Sequence, residues 1–380
     1  MQNVDFVFTG AGLSGLMTAW RISRHPQLKD KSIVLIDKED KVYDDRTWCF
    51  WEADDGEFDE AVSAIWNHAD FLSETVNRRM VLAPFAYKMI RSSQFYAMIR
   101  RDLLQNPNVV FVREDVLGFS DAGNQVMVST PNNTFAAKKV FNSILSLDNA
   151  YKQKDYPVLL QHFIGWKVKT ARPVFDPMAV TFMDFTVPQN GNTRFMYVLP
   201  FSTNEALIEY TLFSKDLLAD EEYAQAMRDW LEKHHAGDFE ILETEKGAIP
   251  MTVFPFEKSN THNIVNIGSA GGWTKASTGF TFANTARKSK SLVELVARGD
   301  SFKNLGNSNR FRFYDTLFLD VLAARNEQGS SVFSAMFQTN KPQTIFNFLD
   351  EQSTLGQDLK IILSCPKPPF IRALLSRMLS

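Results

Sequence analysis

A glycine turn between a short apolar strand and a helix start, a second such turn late in the chain, and a strand-rich stretch between them together predict an α/β fold. One part is a Rossmann-type nucleotide-binding domain, split between residues 1–150 and 262–300. An antiparallel-sheet substrate domain fills residues 151–261, and residues 301–380 form a C-terminal helical region. A chain of 380 residues is long enough to bury a substantial core in such an arrangement.

The first turn lies in Val4-Asp-Phe-Val-Phe-Thr-Gly10-Ala-Gly12-Leu-Ser-Gly15-Leu16. Gly10 makes the turn, Gly12 lets backbone approach a pyrophosphate, and Gly15 packs the helix on the strand. The helix N-terminus offers N–H donors and the positive end of a dipole to phosphate. A second strand, Ser32-Ile-Val-Leu-Ile-Asp37, ends in an acid 22 residues after Gly15, the spacing at which a carboxylate accepts from a ribose 2′-OH. An acid there argues against NADP. Leu16, Lys38 and Arg46 complete the cofactor candidates at this end.

FAD and NAD share this fingerprint, and the second turn separates them. Asn263-Ile-Val-Asn-Ile-Gly268-Ser269 is again a strand running into glycines, followed by Thr278 and Gly279 before a helical pattern. Two-domain FAD hydroxylases return late in the chain to close the cofactor site in this way. The position that often carries an acid for the ribityl chain is Ser269 here. A helix starting near Thr278 or Gly279 would aim its N-terminus at the flavin pyrimidine and favour an anionic reduced flavin.

Between the turns, residues 162–170, 179–187 and a hairpin with its turn at Ser202-Thr-Asn-Glu205 read as strands, followed by a helix over about 220–235. Alternation puts Leu207, Glu209, Thr211 and Phe213 on one hairpin face. Glu209 is a carboxylate among apolar residues, where burial makes it hold its proton. The plain alternative is a glutamate hydrogen-bonded within the sheet. Asp184, in Phe182-Met-Asp-Phe185, is the candidate to orient Glu209 or share its proton.

The composition is globular, with 44% hydrophobic and 22% charged residues. A net charge of −3 without a basic patch gives no case for nucleic acid. Cys49 and Cys365 are too far apart in sequence to suggest a metal site, and two cysteines fit a reducing, cytoplasmic compartment. No signal peptide or membrane span is evident. The 32 Phe imply a phenylalanine-rich core or an aromatic-lined pocket. Near the end, Phe370, Ile371, Leu374, Leu375, Met378 and Leu379 share one helix face opposite Arg372, Ser376 and Arg377. Such a helix either lies on an anionic membrane surface as a peripheral contact or docks on the protein.

The hairpin Tyr197-Val-Leu-Pro-Phe-Ser202 with Ala206-Leu-Ile-Glu-Tyr-Thr-Leu-Phe-Ser214 resembles the signature segment of bacterial lycopene β-cyclases. Thr47-Trp-Cys-Phe-Trp51, Tyr87-Lys-Met-Ile-Arg-Ser-Ser-Gln-Phe95, Gln161-His-Phe-Ile-Gly-Trp166 and Ile361-Ile-Leu-Ser-Cys-Pro-Lys-Pro368 also look like that family. The resemblance implies a membrane-associated isomerase of linear carotenoids that needs reduced FAD but transfers no net electrons, with NAD(P)H as an indirect reductant. The family motif has a second acid after its glutamate, and Tyr210 stands there in this chain.

The implied chemistry protonates the terminal double bond of the polyene and closes a six-membered ring on the resulting cation. Glu209 is the candidate acid, or the base that removes the ring proton. Trp51, Phe201 and Trp273 are candidates to line the substrate and stabilise the cation, at about 0.5–2 kcal/mol per aromatic face. The competing readings are a flavin oxidoreductase of the same fold, either a hydroxylase or a prenyl reductase, and a non-enzymatic flavin- and polyene-binding protein.

Overall fold

The computed structural model describes residues 1–306 and 309–379. Its first sheet has a parallel core in the order Val109–Arg113, Ile33–Asp37, Gln2–Thr9, Thr134–Asn142. The late strand Ile264–Asn266 pairs in parallel with the C-terminal end of Thr134–Asn142, so the chain returns to the first sheet. Val126–Ser129 and Gly118–Asp121 extend the sheet as an antiparallel pair. Val7, Phe8, Ile33, Leu35 and Phe141 are fully buried, as expected of parallel strands covered on both faces.

The helix Leu13–Arg24 follows the first strand and packs beside the helix Phe282–Ala297. Gly10 sits at φ +107°, in the region that favours glycine. A Cβ on Gly15 would fall 2.2 Å from Gly10 O, so the helix can approach the turn this closely only without one.

The second sheet has seven strands in the order Phe239–Met251, Leu159–Thr170, Glu205–Ser214, Thr193–Pro200, Ala179–Asp184, His68–Leu72, Asn77–Val81. Its last two strands come from inside the stretch assigned to the nucleotide domain, so the expected boundary at residue 150 does not hold. The chain visits the second sheet before completing the first, and Ala179–Asp184 pairs in parallel with His68–Leu72. A three-stranded sheet of Thr47–Glu52, Ala86–Arg91 and Val62–Trp66 bridges the two.

One face of the second sheet packs on Asp220–Lys233 through Ile208, Tyr210, Leu212, Tyr223 and Trp230. The other face meets the C-terminal helices through Phe182, Phe185, Phe213, Phe333, Phe337 and Phe346. Much of the phenylalanine excess goes into this second contact, where Phe71 stacks on Phe337 at 4.4 Å and Phe185 on Phe333 at 5.9 Å. The C-terminal region is helical, with Arg310–Ala324, Gly329–Thr339, Pro342–Leu349, Leu355–Ser364 and Lys367–Leu379. Among the described residues no helix is long and apolar enough to cross a membrane.

Candidate active site

A cavity of about 410 Å³ lies between the two sheets. Gly12, Ser14, Gly268, Ser269, Thr278, Gly279 and Arg46 line its nucleotide end. Glu209, Glu245, Tyr197, Tyr87, Phe163 and Phe182 line its other end. The glycine turns and the hairpin carboxyl, far apart in sequence, therefore face one space.

Glu209 is 8% exposed and stands in a row set by strand pairing. It lies opposite Tyr197 on one side and Gly165 on the other, and Gly165 in turn lies opposite Glu245. Gly165 has no side chain to separate its neighbours, so the two glutamates meet across it. Their side chains stand over the same open spot, Glu209 Cγ 2.8 Å and Glu245 Cγ 3.0 Å from where a Gly165 Cβ would be. Burial, then the negative charge of Glu245, hold Glu209 well above the usual carboxyl range. Glu245 Oε2 accepts from Thr47 Oγ1 at 2.9 Å, while no described residue donates to Oε1. A protonated Glu209 beside it would be placed to supply that donor.

Aromatic groups enclose the pair. Tyr87 and Tyr197 share a 2.8 Å hydrogen bond between their hydroxyls, and burial pushes both phenols well above their ordinary range. Burial likewise holds Cys49 beside them as a thiol. Burial thus favours the neutral form of each of these three groups.

Several expected residues lie elsewhere. Asp184 ends its strand on the opposite face of the sheet, in the row of Met196 and Tyr210. Its carboxylate accepts from Thr186 N at 2.8 Å and from Trp230 Nε1 at 2.9 Å, so it closes a turn and anchors a helix rather than meeting Glu209. Trp51 stacks on Phe346 at 4.6 Å and touches Phe280 at 4.8 Å, one layer behind the cavity wall. Phe201 packs near Trp66, and Trp273 is buried in the nucleotide-domain core. Phe163, Phe182, Phe195, Phe213 and Phe280 line the cavity in their place.

At the nucleotide end, Leu16 is wholly buried in the core and Lys38 is exposed. Asp37 accepts from Ala11 N at 2.8 Å and Glu39 N at 3.0 Å, tying the second strand to the glycine turn. The helix after the second turn begins at Phe282, three to four residues beyond the expected start at Thr278 or Gly279. Thr278 and Gly279 instead belong to a tight loop, with Thr281 and Thr285 at the helix entrance lining the cavity. The fit to a flavin nucleotide is good. Nothing lies within 4 Å of where a Cβ would stand on Gly12. Gln161 Oε1, Thr278 Oγ1 and Thr285 Oγ1 line the cavity, are buried and have no hydrogen-bond partner among the described residues. Groups of that kind await a polar ligand.

Tyr210 points away from the cavity. Its hydroxyl lies 3.4 Å from Arg194 Nη1, and Arg194 is 6% exposed with no carboxylate paired to it among the described residues. Tyr210→Asp would place a carboxylate toward this cation. Turnover per folded molecule is expected to stay within about threefold of the parent, while losing the buried ring costs about 2–5 kcal/mol of stability. A folded Tyr210→Asp protein that loses more than tenfold in turnover would place residue 210 in the chemistry.

The fold, with its cavity between a Rossmann-type domain and an antiparallel sheet, is that of the two-domain flavin hydroxylase class. It superposes on a geranylgeranyl bacteriochlorophyll reductase-like protein of Thermoplasma acidophilum with a TM-score of 0.63 at 12% identity, over 99% of this chain and 100% of that one. It superposes on a p-nitrophenol 4-monooxygenase of Pseudomonas putida at 0.61 and 13%, over 99% and 98%. Within this class the chain belongs to the lycopene cyclase family, whose model, described as lycopene cyclase protein, matches residues 5–375. A lycopene beta-cyclase of Pantoea ananas is 27% identical over 262 residues, which are 66% of this chain and 63% of that protein.

Proposed function

We propose that this protein is a lycopene β-cyclase that forms β-rings at the ends of linear carotenoids without net oxidation or reduction. The observation that carries the reading is that Glu209, buried and facing Glu245 across Gly165, lines the same cavity as both glycine turns. A buried neutral carboxyl beside an aromatic-lined space suits protonation of a hydrocarbon.

Glu209 gives its proton to the terminal double bond, leaving a tertiary cation in the chain. The neighbouring double bond attacks that cation and closes the six-membered ring. The carboxylate left on the Glu209–Glu245 pair then takes a ring proton, so product and substrate are isomers. Tyr87, Tyr197 and the surrounding phenylalanines present π faces to the cation and exclude water that would quench it. Gly10, Gly12 and Gly15 with Asp37, and Gly268, Ser269, Thr278 and Gly279 with Arg46, would hold FAD. In its reduced form, replenished indirectly from NAD(P)H, the flavin would supply negative charge near the developing cation.

The helices Leu355–Ser364 and Lys367–Leu379 carry the proposed peripheral contact with a membrane. Ala373 is buried and Arg377 pairs with Asp320, so one face of the last helix is docked. Leu355, Leu359, Leu363, Leu375, Met378 and Leu379 remain exposed. A polyene insoluble in water would reach the cavity from such a surface.

Expression in cells that accumulate lycopene tests the reading. The expected result is a red to orange-yellow shift, a product of unchanged mass carrying β-rings, and recovery of the protein with the membrane fraction. A product heavier by two hydrogens or by oxygen would mark a reductase or hydroxylase. Unchanged lycopene with bound flavin would mark a binding protein.

A further inference from the structure

Lys275 has no part in the acid chemistry, yet its side chain is only 2% exposed. Its Nζ lies 2.8 Å from both oxygens of Asp315, on the helix Arg310–Ala324, and 3.3 Å from Glu351, just beyond Pro342–Leu349. Asn309 donates to the other oxygen of Glu351 at 3.2 Å. The main chain of Lys275 is equally committed. Its N–H donates to Phe280 O at 2.8 Å, and its carbonyl accepts from Gly279 N at 2.8 Å and Thr278 N at 3.3 Å. Residues 275–280 thus close on themselves, with Thr278, Gly279 and Phe280 facing the cavity.

A buried ion pair is a costly way to gain stability, because apolar residues of like size serve as well. Its distinctive contribution is fixed geometry, and here the geometry concerns a loop with its back to the C-terminal helices and its front in the cavity. Lys288 donates to Gly272 O at 3.2 Å, which ties down the chain just before this loop.

We infer that Lys275 is a positioning residue: held by Asp315 and Glu351, it fixes the loop 275–280 in its cavity-lining form and makes cofactor retention depend on the C-terminal helical region. This inference rests on the flavin-binding part of the reading above, so its test has an arm that needs no flavin. The experiment takes the full-length chain as parent, Lys275→Met and Lys275→Arg. The double variant Lys275→Met/Asp315→Leu removes both charges and serves if Lys275→Met fails to fold. FAD affinity is read by quenching of flavin fluorescence, and loop order by amide hydrogen exchange. Loss of the charge is expected to weaken FAD binding at least tenfold and speed exchange in residues 276–281, leaving the strand Leu159–Thr170 unchanged. Lys275→Arg should recover most of the affinity. FAD affinity within twofold of the parent, or exchange accelerated equally in loop and strand, would overturn the positioning role. If the parent itself binds no FAD, the flavin reading fails, and the exchange comparison alone decides for or against the loop anchor.

Discussion

Glu209→Gln is expected to lower cyclisation by about 10³-fold while flavin stays bound, the scale of loss for a positioned proton donor. Glutamine fills the same space and can still hydrogen-bond to Glu245, so the cavity keeps its shape without its transferable proton. In D₂O the parent should place one solvent deuterium in each new ring. Near-normal turnover by Glu209→Gln, or an unlabelled product, would remove Glu209 from the mechanism.

The same variant carries a stability signature of definite sign. Burial and Glu245 raise the Glu209 carboxyl above its unfolded value of about 4.3. From that pH up to the raised folded value, the folded state binds more protons than the unfolded state. Stability contributed by the neutral form is therefore complete below about pH 4.3 and falls as pH rises, on the order of 1 kcal/mol per pH unit. Glutamine does not ionise. The unfolding midpoint of Glu209→Gln should hold as pH rises above about 4.3, where that of the parent declines, and parallel declines would contradict the raised carboxyl.

Gly165→Ala is the second large effect. A Cβ there would stand 2.8 Å from Glu209 Cγ and 3.0 Å from Glu245 Cγ, closer than packed carbons come. The two side chains must part, which separates the two acids. We expect turnover to fall about 10²-fold and stability by about 1–3 kcal/mol, the usual cost of overpacking. Pigment analysis alongside thermal unfolding would separate the two losses. Full activity in Gly165→Ala would show that the carboxyl pair need not be in contact.

The sequence displays the nucleotide half because its signals are local. Strand, glycine turn, helix and acid lie within the first 37 residues, and steric need dictates each glycine. Glu209 is legible for a similar reason, as a charge out of pattern in an alternating strand. Glu245 is not. It sits in Glu243-Thr-Glu-Lys-Gly247, which has the composition of an exposed loop, whereas the chain there forms the edge strand Phe239–Met251 with its outer residues in solvent. Only the pairing with Leu159–Thr170 turns Glu245 inward, and that pairing is a tertiary fact. The available hint was Gly165, a glycine within an apolar strand, which marks close approach by a neighbour. Asp184 shows the converse. Its apolar neighbours suggested a buried partner for Glu209, and it is buried, but on the face that alternation assigns to Tyr210. The aromatic candidates failed because tryptophan content identifies a core without saying which layer of it borders a cavity.

The carboxyl pair exists only if two strands align, which makes it vulnerable to misalignment. A one-residue slip of Phe239–Met251 along its neighbour would bring Thr244 or Lys246 to the place of Glu245, exchanging an acid for a hydroxyl or a cation. Phe163 guards against this. Its ring lies where a side chain on Gly247 would stand, 2.5 Å from the position of a Cβ, so in that strand the ring fits over glycine and over nothing larger. The bulge between Lys167 and Val168 fixes the far end of the same pairing. The register of one edge strand, held by a ring lying over a glycine, thus decides whether Glu209 faces an acid at all.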